Sequence, residues 1–298
     1  MGNRLEGRHA IVTGASRGLG RAISLALASE GAHVSVVART EQVWNDKLPG
    51  TIGETVAAIE ALGGRAAAIR GDLLEPGEAK RIHEQATAAF GPVSVLVNNA
   101  AFTAPGRPPK AGEAPKPATA APIKNPSTAR PEAQADWPAF LGTPLGAFKR
   151  HFEIGVFSAY ELMQLVAADM INAGGGAIVN ISSGASRMPG DGPYVDRSRG
   201  VLPGYGGSKS ALEHLTQSAA FDLQPHNISV NALSPSRAIL TPGVQYYSQQ
   251  FDVYASEDDF AEAVVRLSVI DPNVLTGRTV GHEQVLDGTF APFSYQEN

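Results

Sequence analysis

Short apolar, β-prone runs recur along the chain at His9–Thr13, His33–Ala38, Ala66–Arg70, Ser94–Asn98, Ala177–Ser182 and Ile228–Leu233. Each is followed by a stretch of helical periodicity that closes on glycine. The first such helix is expected from about Leu19 to Glu30: it carries Ile23 and Leu27 on one face and stops at Gly31, a residue suited to the turn past a helix end. Gly63-Gly64, Gly91 and Gly174-Gly175-Gly176 punctuate later units. Val93–Val97 and Ile178–Ile181 are apolar without alternation, which marks strands covered on both faces of a parallel sheet. The pattern predicts an α/β fold, a single doubly wound parallel sheet of about seven strands with helices on both faces. The stretch from Thr276 through Val280 to Leu286 reads as the last strand.

Two segments interrupt this rhythm. Residues 102–147 contain 10 of the 21 prolines and show neither period, so they read as an insertion within a single domain spanning 1–298. Two readings of it stay open: a surface excursion, or a lid or oligomer arm in which Trp137, Phe140 and Leu141 pack over a site. Residues 188–204, rich in Gly, Pro, Asp and Arg, read as a loop on the substrate side.

Composition narrows the chemistry. With no cysteine, disulfide frameworks, thiolate nucleophiles, zinc–thiolate sites and iron–sulfur clusters are excluded. A net charge of −5 offers no basic field, so neither nucleic acid nor an anionic membrane is an expected partner. The N-terminus has no signal-peptide core and no long apolar run stands out, so the expected location is cytoplasmic. Seven histidines lack the spacing of a zinc helix, and His33, His151 and His214 read as structural; no metal site is expected.

Immediately after the first strand stands Thr13-Gly14-Ala15-Ser16-Arg17-Gly18-Leu19-Gly20. Strand, glycine turn and helix in that order let backbone N–H groups approach a pyrophosphate, which predicts a Rossmann-type nucleotide site. The spacing T-G-x-x-x-G-x-G, with Asn98-Asn99-Ala100 ending the fourth strand, Ser183 ending the fifth, and Tyr205-Gly206-Gly207-Ser208-Lys209, resembles the classical short-chain dehydrogenase/reductase family from about residue 5 to 288. A narrower likeness, to the hydroxysteroid dehydrogenase-like subgroup, rests on Leu48-Pro49-Gly50-Thr51-Ile52, on Ile59-Glu60-Ala61 leading to Gly63-Gly64, and on Pro235-Ser236-Arg237-Ala238-Ile239-Leu240-Thr241. It turns the expected substrate toward lipophilic carbonyl compounds.

The resemblance implies a nicotinamide cofactor held by Gly14, Ser16, Arg17, Gly18, Leu19 and Gly20, by Arg39 and Thr40, by Asp72 and Leu73, by Asn99, Ala100 and Ala101, by Tyr205 and Lys209, and by Pro235, Ser236 and Ile239. At the end of the second strand an NAD-binding sheet places a carboxylate on the adenosine ribose, whereas this chain has Ala38, then Arg39-Thr40. Guanidinium groups match phosphate geometry, so Arg39 and Arg17 point to NADP(H) in preference to NAD(H).

A tyrosine that works as an acid or base near neutrality needs a nearby cation to favour its phenolate. Helical spacing sets Lys209 one turn from Tyr205, where its ammonium is expected to lower the phenol pKa. By resemblance, Ser183 hydrogen-bonds the substrate oxygen, while Ser182 assists or packs. The chain departs from the family where a helix asparagine carries a proton relay: that position is Gly155, with Glu153 and Ser158 as neighbouring substitutes. Ala101 replaces a glycine near the cofactor.

The expected activity is NADP(H)-dependent interconversion of a ketone or aldehyde and an alcohol, with Ser183, Tyr205 and Lys209 as the catalytic residues. A nucleotide-binding sensor or scaffold without turnover, and a non-redox enzyme on the same frame, are the alternatives. By resemblance the protein is a homodimer or homotetramer through helices near 148–173 and 205–224. Gln245, Tyr246, Tyr247 and Phe251 are expected to form a partly aromatic wall, and the tail with Phe290, Phe293 and Tyr295 either covers a neighbour's pocket or frays.

Overall fold

The computed structural model describes residues 2–102, 140–193, 203–246, 251 and 253–293. Most of the proline-rich insertion, with Trp137, and the middle of the 188–204 loop lie outside the described residues.

Seven parallel strands, β1 (His9–Thr13), β2 (His33–Ala38), β3 (Arg65–Arg70), β4 (Val95–Asn98), β5 (Gly176–Ile181), β6 (Ile228–Ser234) and β7 (Thr279–Gly281), form one sheet in the order β3-β2-β1-β4-β5-β6-β7. The helices are α1 (Gly18–Ser29), α2 (Ile52–Ala61), α3 (Glu78–Phe90), α4 (Leu145–Phe152), α5 (Ser158–Ala173), α6 (Pro203–Leu223), α7 (Pro242–Tyr246), α8 (Glu257–Ser268) and α9 (His282–Leu286). The expected doubly wound α/β sheet is therefore the observed one. Its register is in step, with Val12 opposite both Val36 and Val97, and Asn98 opposite Asn180.

Side-chain alternation assigns each strand to two cores. Ala10 and Val12 of β1, with Val95 and Val97 of β4, face the layer of α1, α2 and α8, where Ile23, Leu27, Ile59 and Phe260 are buried. Ile11 and Leu96, the intervening residues, face the layer of α3, α5 and α6, against Ile82, Leu162, Val166 and Met170. The chain crosses from β3 at one edge to β4 beside β1, so the carboxyl ends of β1 and β4 flank the point where strand order reverses. Open α/β sheets bind ligands there.

Local chemistry sets several element ends. Thr51 accepts from Glu54 N and the Glu54 carboxylate accepts from Thr51 N, a reciprocal cap that starts α2. Ser256 Oγ accepts from Asp258 N and Asp259 N at the start of α8.

Four expectations change. The last strand does not run to Leu286: after Gly281 the chain turns into α9, because His282 Nδ1 accepts from Ser236 N and Val285 is buried against the first core. The helix after the insertion begins at Leu145, inside the span assigned to the insertion, after a 3-10 turn Phe140–Gly142 in which Phe140 and Leu141 are exposed instead of packed over a site. A helical run Leu145–Ala173, with mean hydropathy 1.3 in its most apolar window, is long and apolar enough to cross a membrane, where the sequence reading found no such run. Its Leu162, Met163, Val166 and Met170 are buried in the second core, as in the central helix of a packed domain. The C-terminal segment packs on its own chain: Phe293 is buried and donates its N–H to Thr279 O.

Candidate active site

The glycine turn is shaped by close approach. Gly14 has φ +67, and a Cβ there would lie 2.9 Å from Ala100 Cα; a Cβ on Gly20 would come within 2.6 Å of Asn99 Nδ2 and would also overlap the Gly14 carbonyl. Asn99 Nδ2 donates to Thr13 O at 2.8 Å and to Gly14 O at 3.3 Å. The Thr13 hydroxyl accepts from Asn99 N and Ala100 N. The end of β4 is thus laced to the turn after β1 through Thr13, a role that its place in the glycine motif does not signal. The start of α1 has no side-chain cap at Arg17, leaving its first-turn N–H groups to an anion. These glycine-lined surfaces, which side chains would fill, fit a dinucleotide pyrophosphate.

After β6 the chain returns to the same turn. Thr241 lies 3.4 Å from where a Gly18 Cβ would be, Ile239 is buried and pairs with Ala255, and Ser236 Oγ donates to Gln284 Oε1. Pro235, Ser236 and Ile239 therefore belong to the segment that reaches the glycine turn.

At the far end of the turn, Arg17 is engaged: it donates to the Leu48 carbonyl, to Thr40 Oγ1 at 3.0 Å and to Gly50 O at 3.3 Å. Gly50, at φ +107, sits on the Ser16 carbonyl. Arg17 thus pins the segment before α2 against the glycine turn, a role its sequence position does not signal. Burial first, then the neighbouring Arg39 charge, lowers the Arg17 guanidinium below its ordinary range. Arg39 Nη1 stands 3.8 Å from Asp72 Oδ1. Asp72 thus gives Arg39 a carboxylate neighbour at this corner, and Glu54 supplies negative charge near Arg17. Leu73, half-buried, packs against the second core.

The three catalytic candidates converge at the carboxyl end of β5. Ser183 is the second residue past the strand, and its side chain hydrogen-bonds Tyr205 while also accepting from Ala185 N at 3.2 Å. Tyr205 and Lys209 share one face of α6, with Lys209 Nζ 5.6 Å from the Tyr205 ring centre and donating to Ile181 O at 2.5 Å. Ser182 is turned away: its hydroxyl donates to Glu213 Oε1 at 2.5 Å, and Glu213 also pairs with Arg187 at 3.1 Å. A buried chain, Asn98 to Asn180 to Thr216, clamps α6 to β4 and β5 beneath the site.

Electrostatics differ from the expected direction at Tyr205. Burial pushes the phenol above its ordinary range, opposed by the Ser183 hydrogen bond. Lys209 is itself buried, which brings its ammonium down from 10.5 to about 8 against the pull of Glu213. Desolvation is the largest influence on both groups.

Gly155 lies in a π-helical turn, Glu153–Phe157, between α4 and α5. Neither proposed substitute faces the site. Ser158 Oγ donates to Ile154 O at 2.7 Å, and Glu153 lines a groove with Leu73, Pro76 and Glu161. His151, read from the sequence as structural, lies edge-on to Tyr205 at 6.0 Å. Of the expected aromatic wall, Phe251 meets Tyr254 edge-on and Gln245 is exposed; Tyr247 and the Tyr246 side chain lie outside the described residues, as does Tyr295.

A family model described as short chain dehydrogenase matches residues 8–116 and 138–251. The 7alpha-hydroxysteroid dehydrogenase of Escherichia coli (strain K12) is 32% identical over 242 residues, covering 81% of this chain and 75% of that protein. L-xylulose reductase of Mesocricetus auratus is 29% identical, covering 93% of this chain and 95% of the other. A solved 7alpha-hydroxysteroid dehydrogenase, in complex with NADH and 7-oxo glycochenodeoxycholic acid, superposes with a TM-score of 0.68 at 28% identity, covering 93% of each chain.

Proposed function

The chain belongs to the classical short-chain dehydrogenase family, hydroxysteroid-like oxidoreductases that bind a nicotinamide dinucleotide, and on that premise we propose that it interconverts a ketone or aldehyde and an alcohol with NADP(H), using Tyr205 as acid and base. The observation that carries the reading is the convergence of the Ser183 hydroxyl, the Tyr205 phenol and the Lys209 ammonium at the carboxyl end of β5. In the reductive direction Ser183 orients the carbonyl oxygen and Tyr205 delivers its proton to that oxygen. Lys209, anchored on Ile181 O, keeps positive charge beside the phenol as it becomes phenolate. When bound, the dinucleotide supplies or accepts the hydride.

The residues that would hold it are the glycine turn 14–20, Asn99 to Ala101, Asp72 and Leu73, Tyr205 and Lys209, and Pro235, Ser236 and Ile239. Preference for NADP(H) is supported by Arg39 at a corner where β2 ends in Ala38, while Arg17 holds residues 48–50. The likeness to a hydroxysteroid dehydrogenase favours a lipophilic carbonyl substrate. Exposed Phe157 and Tyr160 on the α5 side, with Phe221 on α6, favour a homodimer or homotetramer through those helices. We read residues 1–298 as one domain, with the insertion after β4 and the 188–204 loop on the substrate side.

The test is oxidation of NADPH, with NADH in parallel, against aliphatic, aromatic, terpenoid and steroid ketones. Turnover that prefers NADPH and disappears in Tyr205→Phe, with NADPH binding kept within a few-fold, is the expected result. Undiminished turnover in Tyr205→Phe refutes the acid/base role.

A further inference from the structure

His151 projects from α4 into the space beside the proposed acid/base pair. Its ring meets Tyr205 edge-on at 6.0 Å and Phe102 edge-on at 5.1 Å. Gly204 makes the room, since a Cβ there would come within 2.6 Å of His151 Cδ2. The Nδ1 atom is buried without a hydrogen-bond partner, and a buried polar atom in that condition is characteristically met by a water.

Burial, and then the charge of Lys209, hold the imidazole down to about 4, so it is neutral near neutral pH and Nδ1 can accept a hydrogen bond. Lys209 spends one proton on Ile181 O, and an ammonium has two more to donate. Neighbouring groups are engaged or absent. Ser158 bonds Ile154 O, Glu153 faces the groove beside Leu73, and Gly155 offers no side chain, its vacant Cβ direction facing Ser208 Oγ at 3.4 Å.

We propose that His151 is a positioning residue, holding the water that joins Lys209, and through it Tyr205, to bulk solvent. This rests on the reading of Tyr205 as the acid. In ketone reduction the carbonyl carbon takes a hydride from the reduced dinucleotide and the oxygen takes the Tyr205 proton. The phenolate regains its proton from solvent by way of the water and Lys209, so each alcohol formed consumes one hydride and one proton.

The test uses the full chain, NADPH, and 7-oxo glycochenodeoxycholic acid, the ketone bound in the solved relative. His151→Phe keeps a ring and removes the nitrogens. Its kcat is expected to fall about tenfold to a hundredfold, the scale of an impaired proton transfer, with NADPH affinity unchanged and the solvent deuterium effect on kcat enlarged. His151→Asn, whose amide oxygen can accept near the Nδ1 position, recovers most of the rate. Adding Gly155→Asn to His151→Phe recovers part of it.

An unchanged rate and isotope effect in His151→Phe overturns the proposal. So does a loss in His151→Asn as large as in His151→Phe, which marks a packing role. Continued turnover in Tyr205→Phe overturns the acid/base reading itself, whereas an inactive Tyr205→Phe beside a fully active His151→Phe overturns this inference alone.

Discussion

Replacing Lys209 by Met should make the protein more stable near neutral pH and less stable, relative to wild type, in alkali. The side chain is 2% exposed and its ammonium is held at about 8 instead of 10.5, chiefly by burial. Each tenfold change in proton affinity is about 1.4 kcal/mol, so keeping the charge in the folded state costs about 3 kcal/mol at pH 7. Methionine removes that cost but leaves Ile181 O without its donor and Glu213 with Arg187 as its remaining nearby cation, a loss of about 1–2 kcal/mol.

The net gain of Lys209→Met is then about 1–2 kcal/mol at pH 7. Below about 8 the lysine is protonated in both folded and unfolded chains, and wild type carries the whole cost. Between about 8 and 10.5 the unfolded chain binds more protons than the folded one, so wild-type stability rises with pH and the advantage of the variant shrinks, then reverses. Urea denaturation of both proteins without cofactor, at several values from about pH 7 to pH 10, measures the difference; titrations common to both cancel. A difference that does not change with pH, or one that grows in favour of Lys209→Met as pH rises, refutes the reasoning. Confirmation would show that the fold tolerates a destabilising charge at the site where the proposed chemistry needs it.

Gly20→Ala should abolish NADPH binding by fluorescence titration while leaving the far-UV spectrum unchanged, because its Cβ overlaps the Gly14 carbonyl and the Asn99 amide that define the turn. Arg39→Ala should weaken NADPH by about tenfold or more and NADH by a few-fold at most, read from the two dissociation constants; equal losses would remove Arg39 from phosphate recognition. Thr51→Ala should cost about 1 kcal/mol in denaturant unfolding, since it removes the hydroxyl that caps Glu54 N at the start of α2.

Strand positions were readable because parallel strands covered on both faces are apolar throughout, and β1 and β2 fall where the apolar runs place them. The end of the chain was less readable. Leu286 belongs to a helix because Ser236, far away in sequence, donates its N–H to His282. Likewise, nothing along the chain near Ser182 signals that its hydroxyl donates to Glu213 on α6.

What the sequence determined by itself was local: period, the glycine turn between a strand and a helix, and the one-turn spacing of Tyr205 and Lys209. Each depends on neighbours along the chain and on backbone freedoms that residue identity controls. Tertiary structure alone decided which side chains share a volume. It turned Arg17 from a free phosphate ligand into a pin for residues 48–50, set Asp72 beside Arg39, and brought His151 against Tyr205. It also reversed the expected direction at Tyr205, because a pKa follows burial as well as neighbours, and burial is a property of the packed whole.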